Sequence, residues 1–184
     1  MPEPAENYRS EIQVGELKRN AFRFWGVVLT IVSVWVLAIL LAPIAAANGM
    51  SGVAEPVYGF FSYVCHQMPS RTFHLLGHGF GVCSRCFGVY FGLLLGLAIY
   101  PLFRSMSEVE PLPRIWLILA IIPMGIDWSL GAFDIWENTY FTRFSTGLLL
   151  GIGCAVFIVP ALVELAQIFL MKQQRRQNVY KDTA

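Results

Sequence analysis

Apolar residues gather in four long blocks along this chain, separated by shorter polar stretches. The first, Phe24 to Ala47, is about 24 residues long and crosses a hydrocarbon core of about 30 Å with some tilt. The second starts near Cys83 and reaches Phe103, with its apolar body from Phe87. The third covers Ile115–Phe133, and the fourth covers Phe144–Val163 with a continuation past Pro160 toward Leu170. Length and apolarity predict a membrane-spanning helix for each. Ala45-Ala46-Ala47 imitates a signal-peptidase site, but a signal h-region holds only about 7–15 residues, so a retained anchor is expected.

The stretch Asn48–Val82 is too long for a tight turn and is itself partly apolar, at Tyr58–Val64 and Phe73–Leu76. It is expected to fold back on the bundle as a re-entrant or interfacial loop, because bare backbone at membrane depth must be covered by protein or by a wet cavity. Glycines recur every four residues on the second block (Gly88, Gly92, Gly96) and on the fourth (Gly147, Gly151). Small residues at this spacing let helix backbones approach closely. The two blocks are therefore neighbours, or a glycine ridge faces a second copy in a homo-oligomer.

The fold class is all-α, a polytopic bundle of about four transmembrane helices. The chain divides into an N-terminal segment (1–23), a membrane domain (24–171) and a basic tail (172–184). Composition agrees: 56% of residues are hydrophobic and 14% charged, against about 25% charged in a soluble domain. A net charge of +1 argues against nucleic acid as a partner, leaving the lipid bilayer. There is no phosphate-binding glycine loop, dinucleotide fingerprint or nucleophile elbow.

Charges near the blocks set the orientation. Lys18, Arg19 and Arg23 precede the first, Arg104 and Arg114 join the second and third, and Lys172, Arg175, Arg176 and Lys181 follow the fourth. Against these stand Arg71, Arg85 and Arg143. The expectation is a multi-pass protein of the plasma membrane with both termini cytoplasmic and the Asn48–Val82 loop outside.

That loop carries the chemistry. Three of the four cysteines (Cys65, Cys83, Cys86) and all three histidines (His66, His74, His78) lie within it or at the start of the second helix. If that helix begins at Cys83, then Cys83, Cys86 and Tyr90 share a face. Cys83-x-x-Cys86 is half of a common zinc layout, Cys65 adds a third thiolate, and His66, His74 or His78 completes a tetrahedron. Zinc is the expected metal, with iron an alternative. A second reading is a thiol–disulfide oxidoreductase passing electrons to a quinone near Tyr90 and Trp128, since a Cys-x-x-Cys at a helix start has a lowered thiol pKa. A third is a disulfide staple from Cys65 to Cys83 or Cys86. Cys154, in mid-block, reads as a packing residue.

Polar residues from distant stretches fall at the same depth as the cysteines. Asp127 lies inside the third block and, being costly in a membrane, marks a functional group by default. Its partner is Arg85 or Arg143. In an enzymatic reading Asp127 is the candidate base, and Arg71, Arg85 and Arg143 anchor an anionic headgroup or phosphate. Gln67, Tyr90 and Asn138 complete the ligand-binding candidates. The rival class is a non-catalytic scaffold or an oligomeric transporter, in which the polar cluster fixes packing or lines a path.

Cys65-His66-Gln67, Pro69-Ser70-Arg71-Thr72-Phe73 and Cys83-Ser84-Arg85-Cys86-x-Gly88-x-Tyr90-x-Gly92 together resemble a family of small predicted membrane proteins of archaea and bacteria, grouped as a domain of unknown function. The resemblance extends through Asp127, Asn138, Arg143 and Gly147. It implies a multi-span membrane protein and leaves the chemistry open.

Overall fold

The structure, a computed structural model, describes residues 4–182 apart from 107, 109 and 111. Five α-helices account for most of it: α1 (Pro4–Ala47), α2 (Ser51–Ser62), α3 (Ser84–Phe103), α4 (Ile115–Ala132) and α5 (Tyr140–Asp182). Four of them, all but α2, are long and apolar enough to cross a membrane. The expected blocks match α3 and α4 within a residue. α1 and α5 are longer than expected, because their polar extensions are rich in helix-forming Glu, Lys, Arg and Gln. The side chains of Arg175, Arg176 and Lys181 lie outside the described residues.

The centre of the bundle is the α3–α5 pair, and its glycines explain why. A Cβ on Gly88 would collide with the Phe144 carbonyl and lie 3.1 Å from the Leu148 nitrogen. A Cβ on Gly151 would collide with the Val89 carbonyl and lie 2.6 Å from the Leu93 nitrogen. Gly92 meets Leu148 and Gly147 meets Arg85 in the same way. The two ridges face each other, so the first of the two expected alternatives is the one observed. An association of two chains would need another surface. α1 packs on both central helices, α4 packs on α5, and α2 packs back on α1.

Two prolines hold the bundle together by what they remove. A proline inside a helix deprives the carbonyl four residues earlier of its donor. Pro101 frees the carbonyl of Leu97, and the Trp25 indole Nε1–H from α1 donates to it at 2.9 Å. Pro43 frees the carbonyl of Ile39, and the Gly81 N–H from the loop donates to it at 3.2 Å. An unpaired carbonyl is costly where no water reaches, so each proline makes a docking point for another segment.

Among the described residues the interior has two apolar clusters. One, remote from the cysteines, centres on Ala21, Leu97, Tyr100, Val159 and Val163. The other, at the cysteine end, centres on Ile39, Phe61, Cys65 and Val82. The many exposed apolar side chains, among them Val27, Ile31, Leu37, Ile118 and Ile122, are the surface that meets lipid.

Candidate metal centre

The loop between α1 and α3 is built in short pieces. α2 ends at Ser62, and the Cys65 N–H donates to the Phe61 carbonyl at 3.0 Å. Gln67 takes a left-handed φ of 48°. Its Nε2 donates to the carbonyls of Tyr58 (2.8 Å) and Gly81 (2.7 Å). Pro69–Arg71 forms one 3-10 turn. A two-stranded hairpin follows, with His74 opposite Gly79 and Leu75 opposite His78. Its two-residue turn, Leu76 and Gly77, has positive φ at both positions, as a primed hairpin turn requires. The Tyr58 hydroxyl donates to the Gly79 carbonyl at 2.6 Å. Phe73 then packs edge-on against Phe87 of α3 and Phe144 of α5, and Phe80 packs edge-on against Phe87.

These ties bring Cys65 onto the start of α3. The sulfurs of Cys65, Cys83 and Cys86 all lie within 4.8 Å of one another. The Cys83 backbone N–H points at the Cys65 sulfur, 3.2 Å away. Cys65 is buried and the other two are half-buried; all three are free thiols. The side chains of Cys83 and Cys86 hydrogen-bond the Cys65 sulfur, and the backbone N–H groups of Cys83 and Gln67 add to this. Together they hold the Cys65 thiol well below the ordinary thiol range, against the opposing effect of burial.

The histidines do not join this group. His66, His74 and His78 are exposed, and the close set of ligand atoms consists of three sulfurs only. The reason is local. Cys65 turns inward from the end of α2, which sends its neighbour His66 outward, while the hairpin holds His74 and His78 on its own surface. His66 does line the cavity beside the thiols.

That cavity, of about 380 Å³, is lined by the three cysteines together with Arg71, Arg85 and Arg143. A second cleft of about 560 Å³ continues from Arg71 and Arg143 past Ser70, Trp136 and Asn138. The convergence expected from sequence is present in part: the loop, α3, the turn before α5 and α5 itself deliver polar groups to one place, while α4 lines it with Met124, Trp128 and Gly131.

The placement of several residues differs from the expectation. Asp127 is buried and ion-paired with Arg85. It lines neither cleft, so it positions Arg85 and is poorly placed as a base. Asn138 donates its side-chain amide to the Asp127 carbonyl and packs on Gly131, closing the α4–α5 turn. The Gln67 amide is committed to the loop backbone and leaves only its oxygen for a ligand. Tyr90 packs edge-on against Trp35 in the apolar cluster behind the thiols. Ser84, to which the sequence assigns no role, donates to the Arg71 carbonyl at 3.1 Å and so joins the 3-10 turn to α3. Met124 of α4 also lines the thiol cavity. Periodicity carried no signal for either residue.

The family described as predicted membrane protein (DUF2085) matches residues 65–157, a stretch that begins at Cys65 and contains all three site arginines. An uncharacterised protein of Methanocaldococcus jannaschii is 34% identical over 78% of this chain and 95% of its own length. An uncharacterised protein of Methanothermobacter thermautotrophicus is 42% identical over 52% of this chain and 85% of its own length. No solved structure matches. The chain belongs to this family of membrane proteins.

Proposed function

We propose that this family member carries a three-thiolate metal centre, with zinc the fitting metal, and uses it on a substrate drawn from the membrane-proximal cavity. The observation that carries the reading is the mutual approach of three sulfurs from two separate segments, within 4.8 Å. Zinc–sulfur bonds of about 2.3 Å place tetrahedral sulfurs about 3.8 Å apart. The three thiols need close by no more than about an ångström to match that geometry. Cys65, Cys83 and Cys86 would hold the ion, which supplies Lewis acidity when bound. With three protein ligands a tetrahedral ion would keep one position for a ligand, as in sites that act on a substrate.

The orientation is part of the proposal. Lys18, Arg19, Arg104, Arg114 and Lys172 cluster at the helix ends remote from the cysteines. At the cysteine end, Arg71, Arg85 and Arg143 are gathered into the site and do not act as free loop charges. The positive-inside rule then puts both termini in the cytoplasm and the centre at the outer face of the plasma membrane.

Elemental analysis of the detergent-purified protein with a free-thiol count tests the reading. The expected result is about one zinc per chain, absent from the Cys83→Ser/Cys86→Ser variant. Metal-free protein in which two thiols are missing until reductant is added overturns it in favour of a redox pair.

A further inference from the structure

Arg71, Arg85 and Arg143 come from three different elements: the 3-10 turn, the first turn of α3 and the first turn of α5. Their side chains share the wall of the thiol cavity. The charges of Arg71 and Arg85 act repulsively on Arg143. Asp127 forms its ion pair with Arg85 and attracts Arg143 only at longer range, and the buried Arg85 Nε has no hydrogen-bond partner. Among the described residues neither Arg71 nor Arg143 forms an ion pair. Asp134 and Glu137 stand on the wall of the larger cleft, exposed, without pairing to either. Three guanidinium groups converge at the edge of a low-dielectric bundle against the Asp127 carboxylate and the ionised Cys65 thiol, so positive charge is in excess, an arrangement that an anion completes.

We infer that Arg71 and Arg143 clamp a phosphate-type anion at the junction of the two clefts, with Ser70 and Asn138 beside it. Guanidinium groups present paired N–H donors that match the oxygens of a tetrahedral oxyanion, whereas a small spherical anion gains little from that geometry. Because Asp134 and Glu137 offset the charge of the outer cleft, selection rests on these directed donors more than on bulk attraction. The junction lies next to the thiols, so a phosphate held there would bring an attached group to the sulfur side of the cavity. The shared chemistry is the phosphate, carried either by a lipid headgroup or by a free anion. The inference goes beyond the metal reading and does not rest on it.

The test uses the full chain in detergent and follows fluorescence of Trp128 and Trp136, which line these clefts. The probes are inorganic phosphate and a short-chain phosphatidic acid, each against chloride at equal ionic strength. Saturable binding is expected with at least one probe. Arg71→Gln and Arg143→Gln should each weaken it about tenfold or more, with Arg104→Gln at the opposite end as the unaffected control. Arg143→Lys, which keeps the charge and loses the fork, should give an intermediate weakening and serves if the glutamine variant does not fold. Equal binding of the two probes identifies a free-anion site, and a clear preference for phosphatidic acid identifies a headgroup site. Binding that survives in Cys83→Ser/Cys86→Ser protein supports the clamp even where the metal reading has failed. Absence of saturation over chloride with both probes, or binding unchanged in both arginine variants, overturns the inference.

Discussion

Replacing Trp25 by Phe keeps an aromatic ring on α1 and removes only the indole N–H. In the structure that N–H meets the Leu97 carbonyl at 2.9 Å, and Leu97 is fully buried. Pro101 has already taken away the carbonyl's helical donor. Trp25→Phe thus leaves a buried carbonyl with no partner. A stranded buried acceptor costs about 1–3 kcal/mol, and hydrogen bonds between membrane helices average about 0.6 kcal/mol. Full burial of Leu97 places the expected loss near 1.5 kcal/mol, between those bounds. Pro101→Ala restores an N–H to the last turn of α3, so the carbonyl again has a helical donor. In that background Trp25→Phe should cost about 1 kcal/mol less, a coupling readable in a double-mutant cycle. The assay is reversible unfolding in mixed detergent and SDS, followed by helical circular dichroism. Equal losses in both backgrounds, within about 0.3 kcal/mol, would refute the reasoning and leave Trp25 with a packing role only.

Three further outcomes are expected. Gly151→Ala must push α3 and α5 apart, because its Cβ meets backbone on the partner helix, and should cost roughly 1–3 kcal/mol; Gly125→Ala meets nothing within 4 Å and should be neutral or gain up to about 1 kcal/mol in the same unfolding assay. Asp127→Ala should destabilise toward the lower end of roughly 3–5 kcal/mol by stranding Arg85, while Arg85→Met/Asp127→Leu is better tolerated and still binds metal; equal losses of metal in both variants would instead give the pair a part in the centre. The lowered Cys65 thiol sets a pH dependence. It contributes stability that is complete above its unfolded pKa of about 8.5 and is lost as pH falls through the lower folded value. In metal-free reduced protein, alkylation of Cys65 should therefore stay nearly flat between about pH 6 and pH 8, where an ordinary thiol accelerates about tenfold per unit; a steep rise there would count against an ionised Cys65.

The sequence by itself determined the spans, and it narrowed the helix pairing to two alternatives and the candidate site to one stretch of the chain. Apolar length is a local property, so α3 and α4 were legible to within a residue, and the polar ends of α1 and α5 blurred only because good helix formers continue each helix beyond the apolar block. The four-residue glycine rhythm of α3 and α5 pointed to a close approach, since nothing else about those positions requires the smallest residue. Arg85 was one of two partners foreseen for Asp127, because a lone carboxylate inside a membrane helix demands a cation. Tertiary structure alone decided the rest. Which ligands meet depends on the path of a loop whose direction is set by remote hydrogen bonds, such as Gln67 to Gly81 and Gly81 to Ile39. Those contacts gather three sulfurs and turn the three histidines outward. Asp127 changed from candidate base to support for Arg85 for the same reason: its depth was readable from the chain, but the side of α4 on which a cavity would open was not. Pro43 and Pro101 were visible as helix prolines, yet which donor fills each freed carbonyl is settled only when the helices pack.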